Sequence, residues 1–186
     1  MLDAALARRI QLIGLDVDGV LTDGGLYIGH EDGRPVELKR FHIQDGLGIK
    51  FLGQAGVRVA FVSARRSGAT DQRARELRVE DVIQDNHKLP AFAGLLERRG
   101  VRWEDAAFVG DDLPELRILE RVGLPIAVAN AAPEVKAAAA VVTHAAGGNG
   151  AVREVAELLL RARGVWDELV QQYLRERSDA RAHVAG

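Results

Sequence analysis

Between Leu12 and Thr22 the chain reads Leu-Ile-Gly-Leu-Asp-Val-Asp-Gly-Val-Leu-Thr, an apolar run that ends in two carboxylates one residue apart. Residues 11–16 have the nearly unbroken apolar character of a central parallel strand. Such a strand needs helices over both of its faces, so this stretch commits the chain to an α/β architecture. Side chains alternate along an extended strand, so Asp16 and Asp18 are expected to point the same way at its carboxyl end. Two converging carboxylates repel, and require a cation, a shared proton or a positive neighbour. On this motif alone, a plain loop start or helix cap stays open as the other reading.

The rest of the chain repeats the strand-then-helix rhythm. Residues 1–10 read as a short amphipathic lead-in. Residues 24–41 carry glycines, a turn signal at Glu31-Asp32-Gly33 and β-prone flanks, which predicts a β-hairpin inserted after the first strand. Helices are expected over 45–55, 67–77, 88–99, 113–121, 133–139, 150–162 and 165–176, several stopped by a glycine at the C′ position. Strands are expected over 57–63, 82–83, 105–110, 125–128 and 140–143, and Gly147-Gly148-Asn149-Gly150 reads as a flexible turn. Together these imply a doubly wound, Rossmann-like parallel sheet with helices on both faces and no separate cap domain. One domain over residues 1–176 and a mobile tail over 177–186 are expected.

In such a sheet, ligands sit beyond the carboxyl ends of the strands. Polar residues at strand ends are therefore the candidates: Asp16 and Asp18, Ser63 and Arg65, and Asp111 and Asp112. Several carboxylates at one sheet edge, in a chain without cysteine, form a hard oxygen site that selects Mg²⁺. One carboxylate could attack a phosphate ester and the second, two residues on, could protonate the leaving oxygen. Lys88 opens a helix, where the dipole gives a lysine no reason to be, and could hold a phosphate oxygen beside the nucleophile. Ser63 could donate a hydroxyl hydrogen bond to the same group. Taken singly, a solvated lysine and a turn-forming serine are the plainer readings. Arg65 follows Ser63 closely, and an arginine fork suits carboxylate and phosphate recognition. His42, His87 and His144 have no mutual spacing that suggests a metal site.

Composition removes other classes. The 25 Lys+Arg against 27 Asp+Glu give a formal charge of −2, with no sign of a nucleic-acid-binding face. No apolar run is long enough to span a membrane, and the apolar run near the start is too short, and too acidic, for a signal peptide. The absence of cysteine fits a reducing compartment, and a cytoplasmic location is expected.

Taken together, Asp16-Val17-Asp18-Gly19-Val20, Ser63, Lys88 and Gly110-Asp111-Asp112 resemble the four motifs of the haloacid dehalogenase-like phosphohydrolases, over about residues 10–160. The resemblance implies that Asp16 is the nucleophile and Asp18 the general acid/base. It implies that Mg²⁺ is held by the Asp16 carboxylate, the Asp18 backbone carbonyl and Asp111, with Asp112 behind them. Asp18-Gly19-Val20-Leu21-Thr22-Asp23-Gly24, Phe41–Ile49 and Gly147–Glu154 look like the capless branch that hydrolyses an eight-carbon sugar-acid 8-phosphate on the route to bacterial lipopolysaccharide. That likeness implies substrate contacts from His42, Ile43, Gln44, Asp45 and Gly46, and from Asp18, Lys50, Arg65, Arg73 and Lys88. It also implies a homotetramer in which the hairpin covers a neighbouring site.

The chain departs from that branch at His42, where asparagine is commoner, and at Lys50, where arginine is commoner. Ala64 replaces a glycine and Asn149 an arginine. These departures bear on substrate preference more than on the reaction. Alternatives are a phosphatase for nine-carbon, sialic-acid-type keto-acid phosphates, against which Arg65 argues, and a non-catalytic oligomerisation module of the same fold, against which Asp16 and Asp18 argue. A signalling receiver domain fits poorly, given the hairpin and the second aspartate.

Overall fold

A computed structural model describes residues 2–179. Six parallel strands form the central sheet: β1 (Leu12–Asp16), β4 (Arg58–Ser63), β5 (Asp81–Gln84), β6 (Ala106–Gly110), β7 (Leu124–Ala127) and β8 (Val141–Val142), in the order β5-β4-β1-β6-β7-β8. The remaining strands, β2 (Tyr27–Glu31) and β3 (Arg34–Leu38), form a separate antiparallel hairpin. The helices are α1 (Ala4–Arg9), α2 (Ile43–Gln54), α3 (Gly68–Leu77), α4 (Lys88–Arg99), α5 (Leu116–Leu119), α6 (Pro133–Ala138), α7 (Ala151–Arg163) and α8 (Trp166–Asp179). The doubly wound architecture is as expected.

Every residue of β1 is buried, as is every residue of β6 beside it. β1 pairs with β4 on one side and β6 on the other, in register from Leu12. The chain leaves β1 toward β4 and β5, then returns to β6 and β7. The carboxyl end of β1 is therefore the topological switch point, where doubly wound sheets bind ligands. Helix α2 packs against both α3 and α7, and α5 packs with α6; right-handed crossovers put these two groups on opposite faces. Gly14, in the middle of β1, leaves room for the edge-to-face pair Phe92–Phe108, with centroids 5.2 Å apart.

The hairpin turns at Asp32-Gly33, both with positive φ, as a tight two-residue turn between right-twisted strands requires. A single bridge between Thr22 and Phe41 closes its base, so the insertion leaves the fold and returns to it beside the β1 end.

Three local expectations are corrected. The stretch 113–121 is a 3₁₀ turn at Leu113–Glu115 followed by only one α-helical turn, because Pro114 and the Asp112/Glu115 capping box tighten the start. The last helix, expected over 165–176, is α8 and runs through Asp179, and the remainder of the 177–186 stretch, expected as a mobile tail, lies outside the described residues. The glycine-rich turn 147–150 is held down by contacts with the site, described next.

Candidate active site

β1 ends at Asp16, and the chain turns sharply over residues 17–21, with Asp18 at φ −88°, ψ 90° and Gly19 at φ +115°. The expectation that Asp16 and Asp18 lie along one extended strand is corrected, because the strand stops between them. Their carboxylates take separate partners as a result. Thr22 staples the turn: its hydroxyl donates to the Val17 carbonyl (3.1 Å) and accepts from the amides of Gly19 and Gly24, each at 3.3 Å.

Asp16 is 2% exposed and Lys88 7%. The Lys88 ammonium donates to Asp16 Oδ1 at 2.5 Å and to Glu115 Oε1 at 2.6 Å. Asp111 follows β6, in van der Waals contact with the Gly19 backbone: a Cβ on Gly19 would overlap the Asp111 carboxylate. Burial, then the charges of Glu115 and Asp111, push the Asp16 carboxyl well above the usual range against the pull of Lys88. Burial and Glu115 push Asp111 up to about 7. Burial alone would lower Lys88, but Asp16 and Glu115 raise it.

Two carboxylates thus share one ammonium with a third, Asp111, beside them, and the excess negative charge is what a divalent cation would neutralise. The donors are hard oxygens, and Mg²⁺ is commonly held by one or two carboxylates with waters completing its shell. Among the described residues no three acidic, histidine or cysteine side chains converge with metal-ligand spacing. The oxygens of Asp16 and Asp111, close together at this sheet edge, suit Mg²⁺ with waters in the rest of its shell, not a cage of side chains. Asp112 begins the 3₁₀ turn as its cap, and its amide donates to Glu115 at 3.0 Å.

Asp18 accepts a hydrogen bond from Ser63 Oγ at 3.1 Å and an ion pair from Lys39. Ser63 also accepts from the Arg65 amide at 3.0 Å. Arg65 reaches back to the hairpin, pairing with Glu37 at 2.5 Å. The expected residues thus form two pairs, Asp16 with Lys88 and Asp18 with Ser63, with Asp111 beside the first and Arg65 beside the second.

The other expected contacts fall elsewhere in the chain. Asp45 is 1% exposed and accepts from the Arg153 amide at 2.8 Å, holding the start of α7; burial raises its carboxyl above the usual range, against that bond. His42 precedes α2, its carbonyl accepting from Arg73, and Gly46 packs under the same guanidinium. Ile43 and Gln44 are exposed on the first turn of α2. Arg73 also pairs with Glu76 at 2.8 Å. Lys50 is not brought to the Asp16 cluster; it pairs with Glu176 at 3.9 Å and lies over the Tyr173 ring.

The glycine-rich turn closes on the β1 end. A Cβ on Gly147 would overlap the Gly19 carbonyl, and the Gly148 amide donates to the Val20 carbonyl at 3.0 Å. Asn149 accepts from Arg40 at 3.2 Å. This turn braces the turn over residues 17–21.

Sequence reasoning missed Glu115, Glu37 and Lys39. Glu115 had a signal: Asp112-x-x-Glu115 is a capping-box spacing. Glu37 and Lys39 had none, since their roles arise only from where the hairpin folds.

A family model described as haloacid dehalogenase-like hydrolase matches residues 79–155. The 3-deoxy-D-manno-octulosonate 8-phosphate phosphatase KdsC of Salmonella typhi is 44% identical over 163 residues, 87% of this chain and 85% of its own length. That of Escherichia coli K12 is 43% identical over 165 residues, covering 88% and 86%. Among solved structures, the 3-deoxy-D-manno-octulosonate 8-phosphate phosphatase of Moraxella catarrhalis, in complex with magnesium ion, phosphate ion and KDO, superposes with a TM-score of 0.87 at 38% identity, covering 91% of this chain and 97% of that one. A buried aspartate–lysine pair at the switch point of a doubly wound sheet, with this degree of likeness across the chain, has one reading: the chain belongs to the haloacid dehalogenase-like hydrolases, in the family of the 3-deoxy-D-manno-octulosonate 8-phosphate phosphatases.

Proposed function

We propose that this chain is a Mg²⁺-dependent phosphatase that hydrolyses 3-deoxy-D-manno-octulosonate 8-phosphate to the free sugar acid and inorganic phosphate, a step toward bacterial lipopolysaccharide. The observation that carries the reading is the buried Asp16–Lys88–Glu115 cluster at the carboxyl end of β1. Asp16 Oδ attacks phosphorus, the bond to the sugar oxygen breaks, and Asp18 gives that oxygen its proton. Water then attacks the aspartyl-phosphate, Asp18 takes the water's proton, and phosphate leaves. Lys88 holds Asp16 in place and offers its charge to the transferring group. Ser63, whose hydroxyl lies against Asp18, is the proposed donor to a phosphate oxygen. Asp16, the Asp18 carbonyl and Asp111 would hold Mg²⁺, which when bound neutralises charge so that an anionic nucleophile can approach a phosphate. Lys50, Arg65, Arg73 and the segment His42–Gly46 are the proposed contacts to the sugar acid.

The proposed assembly is a homotetramer in the cytoplasm. Its support is the hairpin, a two-stranded element that is marginal unless covered. Leu26, Tyr27, Ile28 and Leu38 are exposed large apolar residues on it or beside it. Among the described residues, no helix is long and apolar enough to cross a membrane.

The test is phosphate release from a panel of sugar-acid phosphates with and without Mg²⁺. Preference for the eight-carbon 8-phosphate supports the reading, and a strong preference for a nine-carbon 9-phosphate overturns it. Light scattering tests the tetramer; a monomer at assay concentration rejects it.

A further inference from the structure

The hairpin also supplies something to its own chain. Lys39 follows β3, and its side chain is only 3% exposed. Its ammonium pairs with Asp18 Oδ1 and lies 3.7 Å from Glu37 Oε1. The other oxygen of Asp18 accepts from Ser63 Oγ at 3.1 Å. The Asp18 carboxylate is thus gripped from two sides, by the first sheet strand after β1 and by the inserted hairpin. Glu37 links the second grip to the other side of the site, since its Oε2 binds Arg65 at 2.5 Å. A run of alternating charges, Asp18–Lys39–Glu37–Arg65, therefore ties the hairpin's second strand to the mouth of the site within one subunit.

Asp18 needs such a grip. It sits in an irregular turn after the strand has ended, where the backbone alone does not fix its side chain. A general acid must meet the leaving oxygen in line, and a misplacement on the order of 1 Å can cost about 10²-fold in rate. Ser63 restrains one carboxylate oxygen only. The second restraint comes from a nearly fully buried lysine whose chain position lies 21 residues away.

We propose that Lys39 is a positioning residue for Asp18, so that the hairpin completes the acid/base geometry of its own active site as well as any neighbour's. This rests on Asp18 acting as the general acid/base and not on which sugar carries the phosphate. When the leaving group is an alkyl alcohol, Asp18 must deliver a proton as the P–O bond breaks. With para-nitrophenyl phosphate the departing phenolate is stable, and that delivery matters little. The two ester classes separate positioning of Asp18 from general damage to the site.

The experiment compares wild type, Lys39→Met and Lys39→Arg, each with Mg²⁺, on the eight-carbon sugar-acid 8-phosphate, on glycerol 3-phosphate as a plain alkyl ester and on para-nitrophenyl phosphate. The quantity read is kcat/KM, which reports steps up to cleavage of the ester. In Lys39→Met it should fall by about 10- to 100-fold on the alkyl esters and by less than about threefold on the aryl ester. Lys39→Arg should recover part of the alkyl-ester loss. An equal fall on both ester classes overturns the proposal, as does no fall on either. Weakened inhibition by inorganic phosphate in Lys39→Met also overturns it, by making Lys39 a phosphate contact instead. A wild type that cleaves glycerol 3-phosphate but ignores the sugar-acid ester would defeat the substrate reading and leave the Lys39 comparison intact.

Discussion

Lys88 and Asp16 meet at 2.5 Å across 72 residues of sequence, one from the first turn of a helix and the other from the end of the central strand. The ammonium is shared with Glu115 at 2.6 Å, so a single cation serves two buried carboxylates, with Asp111 beside them. Replacing Lys88 by methionine leaves those carboxylates uncompensated. Breaking a buried pair in this way costs about 3–5 kcal/mol, so Lys88→Met should unfold at a markedly lower temperature in chelator. Added Mg²⁺ should restore more stability to that variant than to wild type, as read by thermal unfolding. Equal Mg²⁺ gains in both proteins would contradict the charge balance described for the site.

The same crowding sets a pH dependence for the metal-free protein. Burial and Glu115 raise Asp111 to about 7, and burial raises Asp16 well above its ordinary value. A carboxyl raised on folding binds its proton more tightly in the native state. Its contribution to stability is therefore full below the unfolded value near 4 and is lost as pH rises through the folded one. In chelator, stability should fall progressively from about pH 4 to about pH 7, and Mg²⁺ should bind more weakly as pH drops below about 7, because protons compete for its ligands. Denaturant midpoints across that window, with and without Mg²⁺, check both signs.

Asp16→Asn should abolish turnover, by on the order of 10³-fold or more, while the protein folds at least as well, since a costly buried charge is removed. Phosphate release and thermal unfolding measured on one preparation would show it. Near-wild-type turnover would remove Asp16 as the nucleophile.

Gly147→Ala tests the brace behind the catalytic turn. The added methyl has no room against the Gly19 carbonyl, so either the glycine-rich turn or residues 17–21 must move. A fall in kcat of about 10- to 100-fold is expected, larger than for Gly53→Ala, where a Cβ meets open space.

Glu154 anchors the far side of that glycine-rich turn, accepting from the amides of His144 and Ala145, each at 2.9 Å. Burial raises its carboxyl, but these amides hold it below its usual value. Its stabilisation is present above the unfolded value and lost as pH falls through the lower folded one. Glu154→Gln should therefore be less stable than wild type at neutral pH, by about 1–2 kcal/mol for weakened charge-assisted bonds. The gap should close in acid. A constant gap from pH 7 to pH 3 would count against this account.

Periodicity and short motifs were enough to read the architecture. The unbroken apolar run into Asp16, the glycines after α2, α4 and α7 and the Asp32-Gly33 turn are local signals, and each produced the element it implies. Lys88 was legible for a similar reason, since a lysine opening a helix opposes the dipole and needs another purpose. Asp18 was half legible. Its place beside Asp16 at the end of β1 was readable, but the alternation argument assumed a strand that Gly19 and the turn at 17–21 cut short.

Local rules specify backbone geometry, because strand, turn and cap preferences act between near neighbours in the chain. They carry no information about which side chains meet across long separations. That Lys39 and Ser63 grip Asp18 from opposite sides, that Glu115 shares Lys88, and that Gly147 must be small where it meets Gly19, were decided only when the hairpin, β4, β6 and the start of α7 converged on the end of β1. The two aspartates mark where chemistry can occur. Tertiary packing sets the charge balance around Asp16 and the aim of Asp18.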